Sequence, residues 1–65
     1  MTYALSDIVE SLKAARDRHG LTQRIFAERT GTTQARVSKI ENGETDPRIS
    51  TLIEFARALA LELML

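Results

Sequence analysis

The sequence predicts a small all-α domain of four to five helices, and three observations carry that prediction. The breakers are few: Gly20, Gly31, Gly43 and Pro47 cut the chain into four pieces of helix length. Within those pieces apolar residues return every three or four positions, the period of a helix with one face turned inward. The 65 residues include no cysteine. Neither a disulfide nor a cysteine-based zinc site can staple the chain, so it must pack tightly or associate with another chain.

The first helix is expected over about residues 7–18. Ser6 reads as its N-cap, with Asp7 and Glu10 in the first turn, where the helix dipole favours anions. Leu5, Ile8, Val9, Leu12 and Ala15 form the apolar stripe, Arg16, Arg18 and His19 suit the C-terminal turn, and Gly20 stops the helix. The second helix spans about residues 23–30, capped by Thr22 and ended by Gly31. Phe26 and Ala27 point inward, and Leu21 packs beside its start. The third spans about residues 34–42, capped by Thr33 and ended by Gly43, with Val37 and Ile40 inward. The fourth follows Pro47 with Ser50 as its cap. Its stripe is Ile49, Leu52, Ile53, Ala56, Leu59, Ala60 and Leu63, with Phe55 on the flank. The ending LELML reads equally as continued helix or as a short strand, because periodicity does not settle a five-residue apolar run.

Nine basic residues balance nine acidic ones. That argues mildly against a general polyanion binder and leaves open a local basic patch. No apolar run is long enough to span a bilayer, and the first ten residues carry acids and no basic n-region, so neither a membrane partner nor a secretory signal is read. A cytoplasmic location is expected. His19 reads as a helix-dipole partner rather than a metal ligand. Glu28, Glu41 and Glu54 fall on different helices with no nucleophile or glycine-rich loop, so they read as solvated or paired charges. No catalytic, metal or cofactor constellation emerges, and an enzyme is not expected.

Two short helices joined by Gly31-Thr32-Thr33 form a helix-turn-helix over about residues 22–43, within a single domain of residues 1–65. Ala27 must be small where the next helix crosses it, and Gly31 must accept a left-handed turn. With Val37 and Ile40 locked inward, Gln34, Ala35, Arg36, Ser38 and Lys39 make a face free to enter a major groove.

Residues 12–61 resemble the Cro/repressor, or XRE-type, helix-turn-helix domain. The likeness rests on TQ opening the second helix, the A-x-x-x-G turn, S-K-I-E-N-G closing the third, and P-x-x-x-x-L-x-x-x-A-x-x-L beyond it. The resemblance implies a compact lambda-repressor-like fold and a homodimeric transcriptional repressor on a palindromic double-stranded DNA operator. It implies a phosphate contact for Gln23, and Thr33 and Gln34 opening the recognition helix, Gln34 against an adenine edge. Arg36 and Lys39 would read guanine or hold phosphate, with Ser38 a weaker base contact. Asn42 would bond a phosphate past the helix, and Arg48 would meet the backbone. Arg16 and Glu41 match a pair that bridges the first and third helices.

The chain departs from the pattern at three places. Ile25 stands where a capping glutamate is common and is expected to be partly buried. The loop Glu44-Thr45-Asp46 is acidic and is expected to bend away from DNA. The apolar ending is similar to that of HipB-type antitoxins, where a C-terminal strand pairs across the dimer. That likeness implies the alternative reading, an antitoxin that restrains a HipA-type kinase toxin and represses its own operon.

Overall fold

In a computed structural model, described for residues 4–64 with side chains as far as Ala60, the chain forms α1 (Leu5–Arg18), α2 (Gln23–Thr30), α3 (Gln34–Glu41) and α4 (Ile49–Met64). No strand occurs among the described residues. The strand alternative for residues 61–65 is therefore corrected to helix as far as Met64, and Leu65 lies outside the described residues. The physical reason is the absence of a breaker. Ala, Leu, Glu and Met are all good helix formers, and they follow directly on an established helix.

α1, α2 and α3 end in the same way. After α2 the Gly31 N–H donates to the Glu28 carbonyl at 3.4 Å and the Thr32 N–H to the Ala27 carbonyl at 2.9 Å. This is the paired closure of a Schellman motif, and Gly31 sits at φ 70° to make it. The same pair of bonds closes α1 through Gly20 and Leu21, and α3 through Gly43 and Glu44. At the N-termini, Thr22 Oγ1 accepts from the Ile25 N–H at 3.1 Å, and Thr33 Oγ1 from the Arg36 N–H at 3.2 Å. Only Thr32 separates the glycine that ends α2 from the threonine that caps α3.

Two predicted caps are displaced. α1 begins at Leu5, with Ala4 extended before it, and the Asp7 carboxylate reaches back to accept from the Ala4 N–H at 3.1 Å. The charged acceptor thus sets the start of the helix, and Ser6 lies inside its first turn. In α4 the Leu52 N–H donates to the Arg48 carbonyl at 3.1 Å, so the helix starts at Ile49 and Ser50 is also internal.

The core is Val9, Leu21, Phe26, Ala27, Val37, Ile40, Phe55 and Leu59, with Leu12, Ala15, Ile25, Leu52 and Ala58 packed at its edge. Phe26 and Phe55 meet edge to face, their ring centroids 4.8 Å apart. This contact rotates α4 away from the predicted stripe. Of that stripe Leu59 is buried and Leu52 packs at the core edge as expected, Thr51 and Phe55 join them inward, and Ile49 (75% exposed), Ile53 (50%), Ala56 and Ala60 face solvent; the Leu63 side chain lies outside the described residues. α4 is apolar on most of its circumference, so periodicity left its rotation open and the largest side chain decided it. Ile8 of α1, also expected inward, is 40% exposed.

Arg16 and Glu41 are both buried and lock α1 to α3. Arg16 Nε donates to Glu41 Oε2 at 2.6 Å and Nη2 to Glu41 Oε1 at 2.9 Å, a two-pronged ion pair. Arg16 Nη1 donates to the Leu21 carbonyl at 2.6 Å and lies 3.1 Å from Asp17 Oδ1. The Glu41 hydrogen bonds outweigh burial and push the Arg16 guanidinium still further up from its ordinary pKa.

Glu41→Ala leaves Arg16 buried without its buried counterion, with only the exposed Asp17 carboxylate beside it, and is expected to cost about 3–5 kcal/mol. That approaches the whole stability of so small a domain, so the variant should be largely unfolded at 25 °C by circular dichroism. The double variant Arg16→Met/Glu41→Leu, read in urea titrations, should recover most of the loss. Gly31→Ala meets no atom within 4 Å, so its cost is the left-handed backbone alone, about 1–2 kcal/mol. It should appear as a Tm lower by roughly 4–16 °C.

Candidate nucleic-acid interface

α3 has eight residues, and one side of it is fully committed to the body: Val37, Ile40 and Glu41 are buried. At 3.6 residues per turn, Ala35 and Lys39 lie roughly 160° around the helix from Val37 and form its outer crest. Both are exposed, and the Lys39 ammonium has no hydrogen-bond or ion-pair partner among the described residues.

Arg36 lies on one flank. Its Nη2 donates to Thr51 Oγ1 at 3.3 Å, which tethers the guanidinium to the first turn of α4 and leaves its other N–H groups outward. Gln34, Ser38 and Asn42 occupy the other flank. Gln34 is exposed, and Asn42 Nδ2 donates to Ser38 Oγ at 3.3 Å. Thr33 spends its hydroxyl oxygen on the cap and stands beside the crest.

Gln23, the first residue of α2, donates from Nε2 to Glu41 Oε1 at 2.9 Å. A carboxylate accepts only, so the amide nitrogen must face it and the second N–H is set by the same contact. Gln23 is therefore an extension of the buried pair. Arg48 is exposed, one residue before α4, and does not line the concavity beside the crest.

That concavity is open, about 610 Å³, and bounded by the cap residue Thr33, by Ala35, Arg36 and Lys39 of α3 and by Glu44 and Thr45 of the following turn. The acidic loop therefore divides. Asp46 lines a separate hollow with Leu5, Ser6 and Glu10 at the start of α1, but Glu44 stands beside the crest instead of bending away. The cause is the closure of α3, in which the Glu44 N–H donates to the Lys39 carbonyl at 2.9 Å and folds residue 44 back along the helix. Glu44, Thr45 and Thr51 were not singled out from sequence as parts of this surface. The signal for Glu44 was present in Asn42-Gly43-Glu44, since the residue after a helix-ending glycine is the one that folds back.

The arrangement offers donors and acceptors on a protruding helix rather than an enclosed chemical site. The first turns of α2 and α3 carry no acidic residue, so their N-terminal N–H groups and dipoles are open to an anion. No group of metal-ligating side chains gathers among the described residues, and no helix there is long and apolar enough to cross a membrane.

The chain is 40% identical over its full 65 residues to an uncharacterized HTH-type transcriptional regulator, y4dL, of Sinorhizobium fredii (strain NBRC 101917 / NGR234), and it spans a third of that relative's length. No solved structure matches it significantly. A family model described as Helix-turn-helix matches residues 12–64, from the middle of α1 to the end of α4. With most of its length covered, the chain belongs to the helix-turn-helix family.

Proposed function

We propose that this domain is the DNA-reading part of a transcriptional regulator, with α3 lying in the major groove, and that it represses by occupying a palindromic operator as a dimer. The observation that carries the reading is the division of α3. Its inner side is fixed by Val37, Ile40 and Glu41, and its crest and both flanks present Gln34, Ala35, Arg36, Ser38 and Lys39 outward. A helix held at one side and polar at the other fits a groove about 12 Å wide.

Individual roles follow from position. Gln34, in the first turn, is suited to an adenine edge, Lys39, in the last, to phosphate or to guanine O6 or N7, and the Ala35 methyl to a thymine methyl. Arg36, on the flank, is suited to phosphate or to guanine. Gln23, Thr33, Asn42 and Arg48 surround α3 where groove walls would stand, and they are assigned to backbone contacts.

Dimerisation is supported by the outer face of α4, where Ile49, Ile53, Ala56 and Ala60 recur at helical spacing in solvent. A second copy would cover these side chains and set two recognition helices about one turn of DNA apart, roughly 34–36 Å. The likeness to HipB-type antitoxins rests on the apolar ending and the four-helix body; the strand it implies is absent, since residues 61–64 are helical, and no observation favours a toxin partner.

A titration with duplex from upstream of the chain's own gene is the direct test. Binding is expected to fall steeply with salt, and Gln34→Ala/Arg36→Ala should weaken it at least about thirtyfold if each substitution removes about 1–3 kcal/mol of base contact. Wild-type binding no tighter than to random duplex would refute operator reading. For the dimer, sedimentation of Ile53→Asp should give a monomer with intact helicity and DNA affinity at least tenfold weaker; an unchanged dimer would move the interface elsewhere.

A further inference from the structure

We propose that Glu44 is a specificity-determining residue of this surface: its carboxylate opposes the phosphate backbone, so the domain docks poorly on DNA that offers phosphates alone. The inference rests on the DNA-binding reading above and adds a residue that works against binding.

Four observations converge on it. Glu44 lines the same concavity as Arg36 and Lys39, so any strand seated against those cations passes the carboxylate. Its backbone is fixed there, because its N–H closes α3 on the Lys39 carbonyl at 2.9 Å. The carboxylate forms no ion pair with Lys39 or Arg36 and no hydrogen bond among the described residues, so its charge is uncompensated within the domain. Finally, the position does not suit a carboxylate on grounds of stability. The C-terminal end of a helix carries partial negative charge, and the residue after the closing glycine more often makes an apolar contact. Leu21, at the matching place after α1, is buried in the core.

A recognition helix enters the groove N-terminus first, so the end of α3 that bears Glu44 rises toward the groove wall rather than its floor. Phosphate, not a base edge, is therefore its neighbour. Non-specific binding is almost wholly a phosphate effect. A negative charge that the backbone keeps near the cations lowers that background and leaves affinity dependent on the base contacts of the crest.

The test is a salt-dependent titration of the full chain against random-sequence duplex and against duplex from upstream of its gene, with Glu44→Gln compared with Asp46→Asn. The two substitutions change net charge equally, but Asp46 lines the hollow at the start of α1. Glu44→Gln is expected to tighten binding to random duplex about three- to tenfold at 50 mM salt and to steepen the salt slope by up to about 0.9. Asp46→Asn should do clearly less. Equal effects from the two variants would reduce the result to net charge and overturn the proposal, as would no change from Glu44→Gln. A loss of affinity confined to one duplex would assign Glu44 to a base edge and also overturn it. Failure of the wild type and both variants to bind any duplex at low salt would instead bring down the DNA-binding reading itself.

Discussion

The buried pair of Arg16 and Glu41 is the constraint on which the rest of this small structure depends. One guanidinium reaches α1's own exit turn at Leu21 and the carboxylate of α3, and that carboxylate also holds Gln23 at the start of α2. Three helices are thus tied through three side chains, with the Glu41 carboxylate at the centre. Burying two charges is costly, and an apolar pair of similar volume fills the same space without that cost. What hydrogen bonds add is direction. Val37 and Ile40 hold α3 against the core, but apolar contacts tolerate some rotation, whereas a two-pronged ion pair fixes one angle. The orientation of the crest toward solvent follows from that angle.

The short connections remove the remaining freedom. An isolated helix of eight residues is not stable in water, so α2 and α3 exist only as parts of the packed unit. With Gly31 at φ 70° and Thr33 already capping α3, Thr32 is the whole linker. The crossing of the two helices is then set by local backbone geometry as much as by the side chains between them. Ala27, 3% exposed beneath that crossing, leaves space for close approach.

Much of this was legible in the sequence, because the features that define it are local. The glycine stops, the threonine caps of α2 and α3 and the inward Val37 and Ile40 depend on residues within one turn of each other. The Arg16–Glu41 pair was legible only through resemblance, since its partners are 25 positions apart. The misreadings share a different cause. Ser6 and Ser50 are good caps that lost to better-placed acceptors, the Asp7 carboxylate at α1 and the Arg48 carbonyl at α4. The rotation of α4 was misjudged because its apolar residues are broader than one face, so the spacing admitted more than one inward line, and the contact between Phe26 and Phe55 that selects one is tertiary. In the candidate interface the outward residues of α3 were readable from spacing. The tether of Arg36 to Thr51 was not, and Glu44 was missed because an acidic loop was judged by its charge rather than by the backbone that positions it.

A net charge of zero is consistent with a groove-reading surface once the charges are placed. Arg36 and Lys39 face outward on α3, whereas Glu10 and Asp46 line a hollow at the start of α1 and Glu41 is neutralised inside. A neutral domain forgoes long-range steering toward a polyanion, and screening at physiological salt shortens what field remains to about 8 Å. Attraction is therefore confined to contact distance, where the shape of α3 and the identity of its side chains decide the outcome. A single eight-residue helix with two outward cations gives little affinity on those terms. The isoleucines left in solvent on α4 address the same deficit by offering a surface to a second copy. Pairing two such domains would raise affinity through a second set of base contacts rather than through added charge, which is the route open to a neutral protein.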